Sequence, residues 1–392
     1  MAGFSSTPYP AAERRLRLGM VGGGRGALVG QWHAGGARLS GRWDIVAGAL
    51  SSDPEVALAS GRDWLMAPER IYTDFAQMAR AEATRADGIE AVAICTPNHT
   101  HRAIAVAFME AGIDVICDKP IALSREDCAA MGAAQAASGV VFAVTHPYVY
   151  HPMVVQAGAM IAAGEIGTIR QVVVEYVQDG AAGPVDPKSK QQAWRFDPAT
   201  SGRSATTGDI GTHAIHLMEF VTGDQVARLR ADLHVCGGEK PLEDTAFITF
   251  ALKGGAPGLM WVTQAAAGNA CGLRLRIYGD KGGLEWDQEN PEELRFTPLR
   301  GTRQVLVRGH GAGILPAAQR MIRLPRGHGE ALSDAWANLY TECAVAIEAR
   351  RAGRALDPDL LNLPDLAEGA RGVDFVHTAV DSHEAGGIWM DL

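Results

Sequence analysis

Apolar positions recur along this chain with two different periods. Short apolar runs at residues 16–21, 43–50, 89–95, 113–117 and 140–145 predict strands. Between them the period lengthens to that of a helix. The clearest case is 100–111, where Ile104, Ala107, Phe108 and Ala111 share one stripe. Residues 74–86 and 125–138 follow the same pattern, and another helix begins at Pro54. Strand, helix, strand with short connections is a βαβ unit, so residues 16–147 predict a doubly wound parallel sheet.

The pattern changes after the Pro147, Tyr148, Tyr150, His151, Pro152 cluster. A helix over 153–163, closed by Gly164, gives way to strands without helices between them: 170–178, 226–235, 244–252, 258–264, 273–279, 283–287 and 293–297. Several alternate, as in Arg274-Leu275-Arg276-Ile277-Tyr278. Alternation predicts an open antiparallel sheet with one face on a core and one free for solvent or another subunit. Residues 302–329, rich in Gly, Arg and Pro, predict a long loop, a feature usually tied to function. Helices are expected over 330–351 and 365–382. The organisation is a flexible, loosely packed arm over 1–15, an α/β domain over 16–147 and an α+β domain over 148–392.

Composition adds limits. The 392 residues suit two or three domains, and 47% apolar with 21% charged residues is an ordinary globular balance. A net charge of −9 opposes nucleic-acid binding and adhesion to an anionic membrane, and the Arg14, Arg15, Arg17 cluster is too short to outweigh it. No apolar run has the length of a membrane span. The six cysteines lack metal-ligand spacing and suit a reducing compartment, so the cytoplasm is expected and no metal is.

The first strand opens into Gly22-Gly23-Gly24-Arg25-Gly26-Ala27. Gly22, Gly24 and Ala27 fit G-x-G-x-x-A, and a strand–turn–helix context is what a dinucleotide pyrophosphate needs. A tight turn without a ligand is the plainer alternative. At the end of the second strand, where NAD-binding folds place a ribose-binding acid, the chain has Ser51-Ser52-Asp53. Asp53 either reaches the ribose or caps the helix starting at Pro54. Arg62 is close enough in sequence to serve a 2′-phosphate, so NAD is expected with NADP possible. The next two strands end in Thr96-Pro97-Asn98 and Asp118-Lys119-Pro120, beyond the carboxyl ends where ligands bind. Lys119 is either a surface ion-pair residue or part of the chemistry.

The second half carries Trp194-Arg195 and then Gly208-Asp209-Ile210-Gly211-Thr212-His213. Asp209 and His213 are four apart and share a helix face, and a carboxylate beside an imidazole suits a general base. The alternative is a capping aspartate and a core histidine. His216 could face the same side, and His310 or His328 in the glycine-rich loop could reach a substrate.

Together these segments resemble the Gfo/Idh/MocA group, the glucose–fructose oxidoreductase and inositol dehydrogenase family, from about Leu16 to the C-terminus. The likeness rests on the glycine-rich turn, Thr96-Pro97-Asn98-x-x-His101, the acid-Lys-Pro triplet and Asp-x-x-x-His, in that order. It implies a Rossmann-type domain binding nicotinamide through Gly22, Gly24, Arg25, Ala27, Ser51, Ser52, Asp53, Thr96, Pro97, Asn98, His101, Asp118 and Lys119. It implies Lys119 and His213 as the catalytic pair with Asp209 as partner. Tyr148, Trp194, Arg195 and His328 join Lys119, Asp209 and His213 as substrate-binding residues. The resemblance also implies an open sheet that builds homodimers or homotetramers. The chain departs from the family in having Asp118 for the usual Glu, Ser51 for the ribose acid, and extra residues in the first turn that make Gly30 a rival to Ala27. The expected activity is NAD(P)-dependent oxidation of a secondary hydroxyl of a cyclitol or sugar, scyllo- or myo-inositol ahead of a glucose-like pyranose. A non-catalytic NAD(P)-sensing protein and an aromatic semialdehyde dehydrogenase are the alternatives.

Overall fold

The structure is a computed structural model that describes residues 9, 11–186, 189–309, 312–355 and 362–392. In chain order its first elements are β1 (Leu16–Gly22), α1 (Val29–Ser40), β2 (Trp43–Ala49), α2 (Pro54–Asp63), α3 (Phe75–Thr84), β3 (Ala91–Cys95), α4 (His101–Glu110), β4 (Asp114–Cys117), α5 (Arg125–Ser138) and β5 (Phe142–Val144). The five strands form one parallel sheet in the order β2-β1-β3-β4-β5. The strand order reverses between β1 and β3, and that switch point is where open parallel sheets bind ligands. Helix starts follow local chemistry: Asp53, Asp74 and Ser124 each accept a backbone N–H at the head of α2, α3 and α5.

The second run is α6 (Pro152–Ala162), β6 (Ile169–Val177), α7 (Lys190–Arg195), α8 (Pro198–Ser201), a π-helical turn (Thr207–Gly211), α9 (Thr212–Thr222), β7 (Val226–His234), β8 (Thr245–Leu252), β9 (Pro257–Thr263), β10 (Gly272–Gly279), β11 (Gly282–Asp287), β12 (Glu293–Pro298) and β13 (Gln304–Val307). Then come α10 (Pro316–Gln319), α11 (Leu332–Arg351), α12 (Leu366–Glu384) and β14 (Met390–Asp391). These strands make a nine-stranded sheet, β13-β12-β11-β10-β6-β9-β8-β7-β14. It is mixed rather than wholly antiparallel, because β6 and β9 run parallel. Met260 and Val262 of β9 are buried on one face, whereas Leu259 of β9 and Phe247 of β8 are exposed on the other, with Phe247 stacked on Trp261 at 6.2 Å.

Two compact units divide the chain. Among the described residues, one comprises Tyr9–Pro147 with Leu332–Ala370, the other Tyr148–Ala331 with Arg371–Leu392. The expected boundary of 148–392 therefore differs from the observed division, because α11 returns to the parallel-sheet unit. Its Tyr340 hydroxyl lies 2.8 Å from His33 Nδ1 on α1, and its Tyr340 carbonyl accepts from Trp43 Nε1 at 2.8 Å. Gly36 of α1 permits the approach, since a Cβ there would stand 2.9 Å from Trp336 Cβ. The described part of the 1–15 arm is tied down rather than loose. The Tyr9 hydroxyl donates to Glu342 at 2.7 Å, and Arg14 forms two bonds to the buried Glu90 carboxylate, at 2.7 and 2.6 Å. Each arginine of the basic cluster thus has a carboxylate partner, with Arg15 on Asp44 and Arg17 sharing Glu90 with Arg14. The long loop expected over 302–329 contains β13 and α10, too short to leave a periodic signal.

Candidate active site

The parallel-sheet unit carries one group of candidate residues at its switch point. Gly22 takes φ +81°, a left-handed conformation, and a Cβ on it would meet Thr96 Cγ2 at 2.7 Å. The turn that follows lies against the ends of β2 and β3. The Gly24 N–H donates to Leu50 O at 3.2 Å, and the Ala27 N–H closes a turn on Gly24 O at 3.0 Å. A Cβ on Gly30 would come within 2.3 Å of Gly23 Cα, so Gly30, not Ala27, is the glycine that seats α1 on the turn. The head of α1 has no side-chain cap and no acidic residue in its first turn. An uncapped helix start behind a glycine-rich turn presents backbone N–H groups to an anion.

Asp53 caps α2, its Oδ1 accepting from Glu55 N at 2.9 Å and Val56 N at 3.1 Å. Ser51 Oγ accepts from the Asp53 N–H at 3.1 Å, and Ser52 is exposed. The Arg25 side chain is held by Asp63. At the end of β3, Thr96 Oγ1 accepts from the Thr100 hydroxyl at 2.7 Å, and Pro97 O accepts from the Thr100 N–H at 3.0 Å. Asn98 opens the short helical turn before α4. His101 was expected at the cofactor, but its ring is fully buried, with Nε2 2.8 Å from Thr96 O and Nδ1 3.0 Å from Pro120 O. It clasps the Thr-Pro-Asn turn to the Asp-Lys-Pro turn. Burial lowers its pKa, while Asp118 and the two carbonyls oppose that shift. Asp118 accepts from Thr145 Oγ1 at 2.6 Å, and half-buried Lys119 follows it with a cis peptide to Pro120.

The other unit gathers the second group. Asp209 sits in the π-helical turn, where the Thr212 N–H donates to Thr207 O, and His213 is the second residue of α9. Asp209 Oδ2 accepts from Gln264 Nε2 at 2.9 Å and lies 3.3 Å from Arg195 Nε. The Arg195 guanidinium also covers the Trp194 ring, 5.8 Å from its centroid. His213 meets Tyr148 edge-on, with centroids 4.9 Å apart. The Tyr148 hydroxyl is 2.5 Å from that of Tyr176, which is 3.4 Å from Cys271 Sγ. Burial drives both tyrosine hydroxyls far above their ordinary range, so both stay neutral. Burial also pushes His216 down to about 3, which makes it a weak base. His328 is exposed on a loop pinned by Arg308, which bonds Glu292 at 2.7 Å and Glu330 at 3.1 Å and donates to His328 O. His310 lies outside the described residues.

Two residues of this group escape sequence reasoning. Gln264 Oε1 accepts from Thr206 Oγ1 at 3.1 Å while its Nε2 holds Asp209. Glu243 is buried beneath the same turn and accepts from Ser204 Oγ at 2.6 Å, Thr207 N at 2.9 Å and Ala205 N at 3.1 Å. Burial raises its pKa and these bonds oppose the rise. Among the described residues no group of His, Cys, Asp and Glu could hold a metal ion, and no helix is long and apolar enough to cross a membrane.

Residues 16–146 match the family model for an oxidoreductase family with an NAD-binding Rossmann fold, and 154–285 match that for the GFO/IDH/MocA C-terminal domain. The chain belongs to the Gfo/Idh/MocA oxidoreductase family. It is therefore an NAD-binding oxidoreductase, and the glycine turn and the uncapped head of α1 fit the dinucleotide. An oxidoreductase of Bacillus subtilis, YfiI, is 36% identical over 389 residues, 97% of this chain and 98% of that one. The inositol dehydrogenase homolog of Azotobacter vinelandii is 36% identical over 97% of this chain and 98% of its own. It superposes with a TM-score of 0.92 in its NAD+ complex and 0.89 in its complex with NADH and myo-inositol. Levoglucosan dehydrogenase of Pseudarthrobacter phenanthrenivorans is 29% identical over 335 residues, 78% of this chain and 80% of its own.

Proposed function

We propose that this family member oxidises a secondary hydroxyl of a cyclitol or sugar to the ketone, with an inositol ahead of a glucose-like pyranose. The observation that carries the reading is the Asp209 carboxylate with Gln264 and Arg195 on the same oxygen, together with a histidine four residues on that packs against a neutral tyrosine. Such a set accepts and donates hydrogen bonds over a short distance, as a ring of hydroxyls requires. His213 takes the hydroxyl proton. Lys119 supplies positive charge to the developing alkoxide, and Asp209 orients the substrate. His216 and Tyr148 are poor proton acceptors, which favours His213. Trp194, Arg195 and Tyr148 bind the ring, and His328 contributes from its pinned loop. The uncapped start of α1 with Gly22, Gly24 and Gly30 holds the pyrophosphate, and Thr96, Pro97, Asn98 and Asp118 line the nicotinamide side. When bound, NAD supplies the hydride acceptor.

The reading includes a homotetramer or dimer built on the nine-stranded sheet. Exposed Phe247 and Leu259 on neighbouring strands, with Trp261 stacked on Phe247, form the kind of apolar patch that marks an interface. No disulfide joins any of the six cysteines, in keeping with the cytoplasm.

The test is a panel of scyllo-inositol, myo-inositol, glucose, levoglucosan and an aromatic semialdehyde with NAD or NADP, followed by reduced-nicotinamide absorbance. Levoglucosan is included because a relative acts on it. Turnover of an inositol above the rest is expected. Oxidation of the semialdehyde with no polyol turnover would overturn the proposal.

A further inference from the structure

The glycine-rich turn and α2 meet at the carboxyl end of β2. Gly24 bonds Leu50 O, and a Cβ on it would stand 2.7 Å from that oxygen and 2.8 Å from Ser60 Oγ. The next N–H, that of Arg25, donates to Ser60 Oγ at 2.9 Å. The backbone of Arg25 is thus fixed beside the strand end that leads into Ser51. Its guanidinium makes two bonds to Asp63, the last residue of α2, with Nε–Oδ2 at 2.6 Å and Nη2–Oδ1 at 2.8 Å.

In doubly wound dinucleotide folds this strand end reads the adenosine 2′ position. An acid there holds a 2′-hydroxyl, and an arginine nearby accommodates a 2′-phosphate. Here Ser51 occupies the acid's place and cannot repel a phosphate by charge. Asp53 spends Oδ1 on the head of α2. A released Arg25 would leave this strand end with an arginine and with no acid at the usual ribose position. We propose that Asp63 is a specificity-determining residue that withholds Arg25 from a 2′-phosphate and so biases the site toward NAD over NADP. It does so twice, by occupying the planar fork that suits phosphate and by placing its own negative charge beside it. Both side chains are largely exposed, at 60% and 46%, and exposed pairs are weak. The pair is therefore a bias that one substitution removes.

The inference rests on the NAD-binding fold and not on the sugar reading. A wild-type protein that binds NADH yet oxidises no polyol would sink the latter alone. The test is a fluorescence titration of NADH and NADPH into the wild type, Asp63→Asn and the double variant Asp63→Asn/Arg25→Ala. Asp63 is exposed at a helix end, so its replacement leaves the fold intact, and NADH affinity within about twofold of wild type serves as the control. Asp63→Asn should tighten NADPH about three- to fivefold, with a gain that shrinks as salt is added. The double variant should return NADPH to its wild-type affinity. An unchanged NADPH affinity in Asp63→Asn, or a gain that survives loss of Arg25, overturns the proposal. So does an equal loss of both cofactors, which would mean the pair is structural.

Discussion

Replacing Gln264 with leucine removes three side-chain hydrogen bonds, those to Asp209 at 2.9 Å, Gln178 at 3.2 Å and Thr206 at 3.1 Å. The bond to the Asp209 carboxylate is charge-assisted and contributes about 1.5–3 kcal/mol. The Thr206 hydroxyl, fully buried, is left without its acceptor, at a cost of about 1–3 kcal/mol. Leucine recovers part of this by burying apolar surface, so the net loss of stability should be about 2–4 kcal/mol. Asp209 then loses Gln264 from that oxygen and turns more freely. Loss of about 1.4–2.7 kcal/mol of this bond in the transition state lowers kcat/KM roughly 10–100-fold. Gln264→Glu sharpens the test. It sets a carboxylate oxygen about 2.9 Å from Asp209, and two carboxylates at that distance share one proton. Its activity should fall as pH rises and the proton leaves, whereas wild-type kcat/KM should rise as His213 loses its proton and then flatten. Urea unfolding and pH–rate profiles from pH 5 to 9 read both effects. A Gln264→Leu enzyme within twofold of wild-type kcat/KM, or a Gln264→Glu profile parallel to the wild type, refutes the reasoning.

His213→Ala should lower kcat about 10²–10⁴-fold with little change in NAD affinity, and Lys119→Ala by a comparable factor. The double variant should lose less than the product of the two, and near-normal turnover of His213→Ala would mean the base is misassigned. Gly30→Ala drives a Cβ to within 2.3 Å of Gly23 Cα, so the turn must move. NADH affinity by fluorescence should fall at least about tenfold while the far-ultraviolet spectrum holds, and an unchanged affinity contradicts the cradle. Burial pushes His33 and His151 down to about 4. Depressed histidine pKa values mean the unfolded chain binds more protons below about 6.5, so stability present at pH 7 is lost as pH falls toward 4. From pH 7 to 5 each should cost about 2 kcal/mol, read as a falling urea midpoint, and a flat midpoint refutes their neutral burial. Light scattering should give a dimer or tetramer that Leu259→Glu dissociates, and a monomeric wild-type mass at micromolar concentration removes the interface.

The parallel sheet was legible because each strand and helix declares itself locally. Residues 16–21, 43–50 and 89–95 match β1, β2 and β3 to within one or two residues. Partners are another matter. The apolar pattern of α11 says that it is buried, and Trp336, Tyr340 and Cys343 are, but no local period says that it packs on α1. The small-residue space at Gly36 that admits it looks like any helical glycine in the sequence. His101 misled for a related reason. Its position after Thr-Pro-Asn suggests a ligand contact, yet the ring turns inward because two backbone carbonyls are there to meet it.

Asp209 and His213 mark the place where spacing stops being informative. Four residues apart on a regular α-helix, they would stack on one face. The chain instead inserts a π-helical turn from Thr207 to Gly211, with one more residue per turn, and such turns gather at functional sites. The turn is held from outside the helix. Glu243, from the segment entering β8, takes the N–H groups of Ala205 and Thr207 and the hydroxyl of Ser204, while Gln264, just past β9, takes the Thr206 hydroxyl and the Asp209 carboxylate. A helix start bonded by a buried carboxylate gains the charge that its dipole favours. The conformation of residues 204–211 therefore depends on two residues more than 30 positions away, which no window over the motif contains. The pattern Asp-x-x-x-His names the chemical groups correctly and says little about how they are aimed. That aim is set by the neighbouring sheet, which is why Gln264 is the residue whose loss should separate a folded Asp209 from a working one.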